Sequence, residues 1–337
     1  MTTDRELLRA GYGQTVITPP VGFTIAGPEH PPRPAIDVAD DLLGRVLLLE
    51  SAGVAAAIVT LDVWGISERF EAAIGERVSK ATGIDIDLVW IGVSGNANSP
   101  PLWDDDCPEY DAYSAYVPQQ IGGAAHAAAA RLQDAELGFA TAQLPGLATS
   151  VRGRAYDIDE AVPIMVVDGV SGPIARVVGF GCPGSVMGDT PAIWTADYPG
   201  YACWALSQAS DEAGCMFIGG PSSDVRPFDW YDGNQTPGHA DRAPADVQAL
   251  GWLLATQAGI SAQGALLRRN IQIGPIQVGD GPTTHSPVRG LAVGEGLFES
   301  FPNPLPAEFG IGRRDQATER TVFVCGNLRG APFGTSP

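Results

Sequence analysis

The chain has 337 residues, of which 45% are hydrophobic, and a formal net charge of −19 at pH 7 with an isoelectric point near 4.4. A surface of that sign repels phosphate, which excludes nucleic acid and anionic membrane as electrostatic partners and favours a small, neutral or apolar ligand. Lys80 is the only lysine, so Schiff-base chemistry and a phosphate-binding lysine are also excluded.

The first predicted elements are strands. Two β-rich segments, GYGQTVITPP and DDLLGRVLLLE, open the chain, and the run VAAAIVTLDVWGIS follows them. Its continuous apolar part ends at Asp62 and predicts a strand buried on both faces. A further strand, Leu88 to Val93, leads into the loop VSGNANSPP, which carries Asn96 and Asn98.

A helix is predicted between these two strands. Ser67 is its N-cap, Gly83 ends it, and the apolar positions between them recur at helical spacing: Phe70, Ile74, Val78 and Ala81. Strand, helix and strand in this order indicate a βαβ connection, whose parallel strands end at the same edge of a sheet. Asp62 and the Asn96 to Asn98 loop are therefore expected to lie close together.

The second half of the chain predicts further alternating elements, and no internal repeat or polar linker divides it. Pro199 and Gly200 begin a helix that we expect to end at Gly214. The other expected elements are an alanine-rich helix at Gln119 to Gln133 and strands at Ala161 to Val170, Ala175 to Phe180 and Cys215 to Gly220.

Cysteine usage and the N-terminus predict a cytoplasmic protein. The five cysteines are scattered and form no CxxC pair, so neither a disulfide framework nor a zinc knuckle is indicated. The start MTTDRELLRAGYG lacks the apolar run of a signal peptide, and no apolar span is long enough to insert into a membrane. The sequence leaves open whether the protein forms a homo-oligomer.

Several motifs follow one another along the chain: VITPPVGFTIAG with DDLLGRVLLLE, VTLDVWGIS with VSGNANSPP, FGCPGSVMGDTPAIWTADYPGYA, FIGGPSSDVRP, and LAVGEGLFE with TVFVCGNLRG. Together they resemble the neutral/alkaline, non-lysosomal ceramidases, specifically their N-terminal catalytic domain. The resemblance spans Gly11 to Gly330. It implies a mixed α/β fold with central sheets flanked by helices, in which residues 1–337 form a single domain without the family's immunoglobulin-like C-terminal domain.

The resemblance also implies a zinc site, and this sequence departs from it. Asn96 and Asn98 stand at the family's His-x-His positions, and Cys182-Pro183-Gly184 replaces its Cys-His-Pro segment. Glu295 matches the family's glutamate, whereas its C-terminal tyrosine falls among Ala331 to Phe333. Zinc prefers imidazole and thiolate over carboxamide oxygen, so we expect a retained loop without metal or other cofactor.

The remaining histidines do not repair the site. They are His30, His126, His239 and His285, and only His239, in the loop NQTPGHADR, could reach it. Arg226 stands where the family has its nucleophilic serine, so the family's route of amide hydrolysis is not expected.

Polar residues at the loop positions could support a different chemistry. Neighbouring carboxylates shift each other's pKa, so one can act as a base and another as an acid, and Asn N–H groups can stabilise an oxyanion. Asp62, Asp197 and Asp224 have a structural alternative, namely that they accept hydrogen bonds from loop or helix-terminal amides. The candidate catalytic residues are Asp62, Asn96, Asn98, Asp197, Tyr198, Asp224, Arg226 and Glu295.

Three functions remain open at this point. The leading one is a metal-independent lyase, isomerase or cyclase acting on a small lipophilic metabolite with a carbonyl or amide group, in a bacterial specialised pathway. The second is an amide hydrolase that binds a divalent metal through Asn96, Asn98, Glu295 and a further ligand that the sequence does not identify. The third is a pseudoenzyme that binds a lipid-like ligand without turnover.

Overall fold

The computed structural model describes residues 7–25, 32–102, 110–153, 156–188, 192–227, 244–278 and 288–326, which form a mixed α/β architecture as predicted. The strands are β1 Arg9–Val16, β2 Thr24–Ile25, β3 Arg33–Pro34, β4 Asp37–Val38, β5 Leu43–Ser51, β6 Val54–Leu61, β7 Val89–Val93, β8 Gln133–Gln143, β9 Ala148–Ser150, β10 Ala161–Gly169, β11 Gly172–Phe180, β12 Ile193–Trp194, β13 Gly214–Gly219, β14 Val225–Pro227, β15 Ile273–Val278, β16 Val288–Val293, β17 Gly296–Ser300 and β18 Thr321–Cys325. The helices are α1 Glu68–Thr82, α2 Tyr110–Ala130, α3 Asp197–Gln208, α4 Pro244–Ala262 and α5 Ala307–Gln316. Within these ranges no helix combines the length and apolarity needed to cross a membrane.

The largest sheet has eight strands in the order β13-β11-β10-β8-β1-β5-β6-β7. Most neighbours are antiparallel, but β6 with β7 and β11 with β13 are parallel pairs. The two edge strands approach each other, because a Cβ atom on Gly219 at the end of β13 would lie 2.7 Å from the carbonyl oxygen of Ser94 just after β7. The carboxyl ends of both parallel pairs therefore meet at one end of the sheet.

The predicted βαβ unit is present. Helix α1 begins after Ser67, whose Oγ accepts a hydrogen bond from the Phe70 amide at 3.2 Å, and it ends at Gly83, whose φ of +78° favours glycine. The predicted apolar positions Phe70, Ile74 and Val78 are buried. Because α1 connects β6 to the parallel strand β7, Asp62 and the Asn96 loop lie at the same end of the sheet, as predicted.

A four-stranded sheet, β15-β16-β17-β18, packs against the eight-stranded one. Phe298 stacks on Phe323 with ring centroids 4.6 Å apart and meets the edge of Trp90 at 5.5 Å. Strands β17 and β18 are parallel, and Ser300 at the end of β17 donates a hydrogen bond to the Ile91 carbonyl at 2.9 Å. The carboxyl ends of β17 and β18 thus point toward the end of the large sheet where β7 and β13 meet.

The predicted boundaries of two helices are wrong. Helix α2 begins at Tyr110 rather than near Gln119 and contains Pro118 in its interior. Helix α3 ends at Gln208, not at Gly214. Gly214 instead begins β13, where an added Cβ would lie 2.4 Å from the Tyr12 ring, so close packing rather than a helix C-cap requires glycine there.

Candidate functional site

The candidate site lies where the strand ends converge. Asp62 follows β6, and Asn96 follows β7 in a loop that pairs with Gly184 beyond the end of β11. Asp197 begins α3 and reaches the same loop. Asn96, Asn98 and Asp197 are 0%, 3% and 1% exposed. The structure therefore joins four of the predicted residues, Asp62, Asn96, Asn98 and Asp197, in one buried cluster.

Asn96 uses its carboxamide to join three segments of backbone. Its Nδ2 donates to the carbonyl oxygens of Asp62 at 3.2 Å and Thr195 at 2.8 Å, and its Oδ1 accepts from the Asn98 amide at 2.9 Å. The side chain thus satisfies two buried carbonyls and one buried amide that have no strand partner, which a buried loop requires. Asn96 consequently holds the loops together.

The Asp197 carboxylate is surrounded by hydrogen-bond donors. It accepts from the amides of Tyr198 at 2.7 Å, Met187 at 2.8 Å and Val186 at 3.2 Å, and Asn98 Nδ2 lies 3.4 Å from its Oδ2. The backbone of Asp197 is left-handed, with φ of +52°. A non-glycine residue in that region carries strain of about 1–3 kcal/mol, and such strain concentrates at functional sites.

The protonation of Asp197 is shifted toward neutral pH. Burial raises its pKa to about 6, the surrounding amides oppose this, and the carboxylate of Asp40 raises the pKa further. Asp40 accepts from Thr195 Oγ1 and from the Ala196 amide, each at 2.6 Å, and burial raises its pKa as well. Asp197 can therefore exchange a proton near pH 6, where general acid–base groups are effective.

Asp62 carries a buried ion pair. Its Oδ1 lies 2.6 Å from Arg45 Nη1, and the two side chains are 2% and 4% exposed. Its Oδ2 accepts from the Leu43 amide at 3.0 Å. Both carboxylate oxygens of Asp62 therefore accept hydrogen bonds, one of them from a backbone amide, which is the structural role considered for Asp62 from its sequence position. Asp62 thereby holds the start of β5 against the end of β6.

Tyr198 is buried next to Asp197. Its hydroxyl donates to the carbonyl oxygen of Cys182 at 2.5 Å, and burial raises its pKa. The Tyr198 ring meets Phe217 edge to face at 5.8 Å. The phenol is therefore neutral, and its proton is donated to the backbone of Cys182.

Asp224 and Arg226 lie beyond the end of β13. Asp224 Oδ1 accepts from the Ala307 amide at 2.8 Å, at the start of α5, where a negative charge is favourable, and its Oδ2 pairs with Arg152 Nε at 3.2 Å. Arg226 lies in β14, opposite Thr149 of β9. No hydrogen bond among the described residues connects Asp224 or Arg226 to the Asn96–Asp197 cluster.

Glu295 lies outside the cluster. It occupies the turn between β16 and β17, where it is 59% exposed and its Oε1 is 3.5 Å from Arg268 Nη2. Strand β17 runs away from Glu295, and its other end, at Ser300, is the end that contacts β7. Because the motif VGEG precedes β17, Glu295 lies one strand length away from the end of β17 that approaches the site.

The zinc site implied by the family resemblance does not fit the side chains present. The Asn96 carboxamide binds three backbone groups, and Glu295 pairs with Arg268 away from the loop. Across the described ranges no group of three or more His, Cys, Asp or Glu side chains is arranged to hold a metal ion. His239 and residues 331–333 lie outside those ranges.

Sequence reasoning missed three residues of the cluster: Asp40, Arg45 and Thr195. Asp40 and Arg45 belong to the segment DDLLGRVLLLE, one of the motifs that carry the family resemblance. A charged residue inside an otherwise apolar strand could have marked Arg45, because a buried charge needs a partner. Nothing in the sequence pairs Arg45 with Asp62, which is contributed by the next strand.

Comparisons with known proteins show the fold. A scan of protein-family models and a search of curated proteins each find no match. Among solved structures, the neutral ceramidase from Pseudomonas aeruginosa is similar, with a TM-score of 0.72 and 13% identity over 97% of this chain and 68% of that one. A ceramidase complexed with C2 has a TM-score of 0.73 and 13% identity over 96% of this chain and 68% of its own. The chain therefore has a ceramidase-like fold.

Proposed function

We propose that the protein is an enzyme that uses Asp197 for metal-independent acid–base catalysis on a small lipophilic metabolite with a carbonyl or amide group. The reaction is of the lyase, isomerase or cyclase type. The observation that carries this proposal is a buried carboxyl group whose pKa is raised to about 6, held in a strained backbone conformation where four strand ends meet. Perturbed pKa values of this kind concentrate at active sites.

Asn98 and Asp197 divide the chemistry between them in this proposal. As a base, Asp197 removes a proton next to the substrate carbonyl, and as an acid it returns the proton elsewhere on the substrate. The Nδ2 group of Asn98, 3.4 Å from Asp197, is the nearest side-chain donor and stabilises negative charge on the carbonyl oxygen. Asn96, Asp40 and the Arg45–Asp62 pair position this dyad without contacting the substrate.

The wider setting of the enzyme is part of the same proposal. We place the protein in the cytoplasm, acting on a small molecule in a bacterial specialised pathway, with residues 1–337 as one domain. The ceramidase-like fold supports a catalytic scaffold but does not identify the reaction, because one fold hosts many chemistries.

Proton abstraction next to a carbonyl can be tested without knowing the natural substrate. The purified protein is incubated in D₂O with a panel of lipophilic ketones, β-keto amides and N-acyl amides, and mass spectrometry detects deuterium incorporation and products. We expect at least one compound to exchange or react, and Asp197→Asn to slow the process by about 10²-fold or more. Asp159→Asn is the matched control, because Asp159 is also buried and paired, with Arg314.

Two results would contradict the proposal. The first is equal rates for the Asp197→Asn variant and the wild-type protein on every reactive compound. The second is near-stoichiometric zinc in the purified protein, measured by inductively coupled plasma mass spectrometry, together with loss of activity after chelation. The second result would make a metal-dependent amide hydrolase the leading hypothesis.

A non-catalytic ligand-binding protein is the second candidate. Asp197 is 1% exposed and accepts three backbone amides, and the Asn96 carboxamide is fully used by the backbone, which favours a structural role for the cluster. In that case no compound in the panel exchanges deuterium. Asp197→Asn would then lower stability while leaving ligand affinity unchanged.

A further inference from the structure

A cavity of about 440 Å³ opens between β1, β5 and helix α3. Its volume falls in the range of roughly 300–1,000 Å³ that is usual for small-molecule sites. Asn96, Asn98 and Asp197 do not line it, so it lies beside the cluster described above and meets it at Arg45. The wall residues that matter for recognition are Tyr12, Leu43, Arg45, Arg131, Cys203 and Trp204.

Arg45 supplies the polar end of this cavity. Its side chain is 4% exposed, and its Nη1 is engaged by Asp62 at 2.6 Å. The described residues give Nε and Nη2 no hydrogen-bond partner, and the side chain lines the cavity. Nε and Nη2 form one planar edge of the guanidinium, whose two parallel N–H groups match the two oxygens of a carboxylate.

The charges around the cavity suit a single negative charge. Arg45, Arg131 and Glu212 line the cavity and together carry one net positive charge, while Asp62, which does not line it, is paired with Arg45 Nη1. A bound monoanion therefore neutralises the charge of the wall, while a dianion leaves one excess negative charge. The protein's net charge of −19 favours neutral ligands in general, so this arginine pair is a local exception.

The remaining walls are apolar or neutral. Leu43, Cys203 and Trp204 face the cavity, and burial raises the pKa of Tyr12 far above its usual range, so that its phenol stays uncharged. Tyr12 donates to Gln14 Oε1 at 2.9 Å. An apolar tail can therefore lie along these walls with its carboxylate at Arg45.

The loop that closes the cavity is strained. Asp211 and Glu212 both have positive φ, 49° and 59°, and Glu212 lines the cavity. Two consecutive non-glycine residues in the left-handed region are uncommon, and each adds a cost that the surrounding structure must offset. This loop lies between α3 and β13, and it holds Glu212 on the wall of the cavity that faces β1 and β5.

We propose that this cavity is a second ligand site, which binds a small monocarboxylate with an apolar tail through the free Nε–Nη2 edge of Arg45. The site does not require the proposed catalytic function. It lies against the cluster, since the same guanidinium holds Asp62 through Nη1.

Isothermal titration calorimetry with sodium hexanoate tests the site, with 1-hexanol and inorganic phosphate as comparison ligands. We expect saturable binding of hexanoate, and binding of hexanol and phosphate that is weaker by about tenfold or more. Arg45→Lys keeps the charge next to Asp62 but removes the planar fork, and we expect it to weaken hexanoate binding by about tenfold to a hundredfold.

A second variant covers the case in which Arg45→Lys does not fold. Ser207 lines the cavity, so Ser207→Phe fills it without changing a charge, and we expect it to abolish hexanoate binding. Gln208→Phe, on the next and exposed residue of α3, is the matched control and should bind as the wild-type protein does. The proposal is overturned by undetectable hexanoate binding, by equal binding of phosphate or hexanol, or by wild-type affinity in Ser207→Phe. Asp197→Asn should leave hexanoate binding unchanged, which separates this site from the proposed function.

Discussion

The buried Arg45–Asp62 ion pair should be the largest single electrostatic contribution to stability at the site. Asp62→Asn keeps the shape of the side chain but removes its charge, and leaves the guanidinium with no acidic partner at its 2.6 Å contact. Removing one partner of a buried pair costs about 3–5 kcal/mol. We expect a loss of about 3 kcal/mol or more, because the two side chains are only 4% and 2% exposed and the guanidinium remains buried after the substitution.

Urea-induced unfolding, followed by circular dichroism at pH 7, gives this free energy. Glu50→Gln is the matched control. Glu50 lies on β5, the strand that carries Arg45, and pairs with Arg9 at 3.1 Å, but the side chains of Glu50 and Arg9 are 40% and 42% exposed. Such a pair contributes about 0–1 kcal/mol. Equal losses in the two variants would refute the reasoning, because they would mean that the charge of Arg45 is solvated as well as that of Arg9.

Three further predictions concern the cluster and the sheet edges. Burial raises the folded-state pKa of Asp197 from 3.8 to about 6, so its ionised form is less stable in the folded protein than in the unfolded chain. The stability of the wild-type protein relative to Asp197→Asn should therefore fall by about 3 kcal/mol in total as the pH rises from about 3 to about 7, with about 2 kcal/mol of this between pH 4 and 6, and stay constant above that; a rise would contradict the assignment. Asn96→Ala leaves three buried backbone groups without a hydrogen-bond partner, and each such group costs about 1–3 kcal/mol. Asn98→Ala loses only the longer contact to Asp197, so the thermal midpoint of Asn96→Ala should lie well below that of Asn98→Ala. Gly219→Ala forces β13 away from β7 and should lower the urea midpoint, whereas Gly274→Ala, with open space around its Cβ, should not; equal midpoints would mean that the two sheet edges are free to separate.

The βαβ unit could be predicted because its signals are local. Ser67 and Gly83 fix the ends of α1 through backbone geometry within a few residues, and the spacing of Phe70, Ile74 and Val78 fixes its buried face. The family resemblance likewise depends on motifs in order along the chain, and the solved ceramidase structures agree with the fold that it implies. The position of Asp62 next to the Asn96 loop followed from strand order alone.

Boundaries that depend on packing could not be predicted in the same way. Gly214 has the appearance of a helix stop, but α3 ends at Gln208 and the glycine is required by the Tyr12 ring from a distant strand. Glu295 matches a family motif by letters, yet the turn between β16 and β17 puts it at the opposite end of its strand from the site. In the first case the deciding contact is with the Tyr12 ring, and in the second it is the contact of Ser300, at the other end of β17, with Ile91 of β7; both join residues far apart in sequence.

The sequence by itself determined the α/β class and the βαβ unit, since both depend on residue identity and short-range spacing. Only the tertiary structure decided what the retained polar groups do. It joined Arg45 to Asp62, turned Asn96 into a link between loops, and raised the pKa of Asp197 to about 6. Burial and charge pairing are properties of groups that meet in space, so they follow from the packing of distant segments and not from the order of residues along the chain.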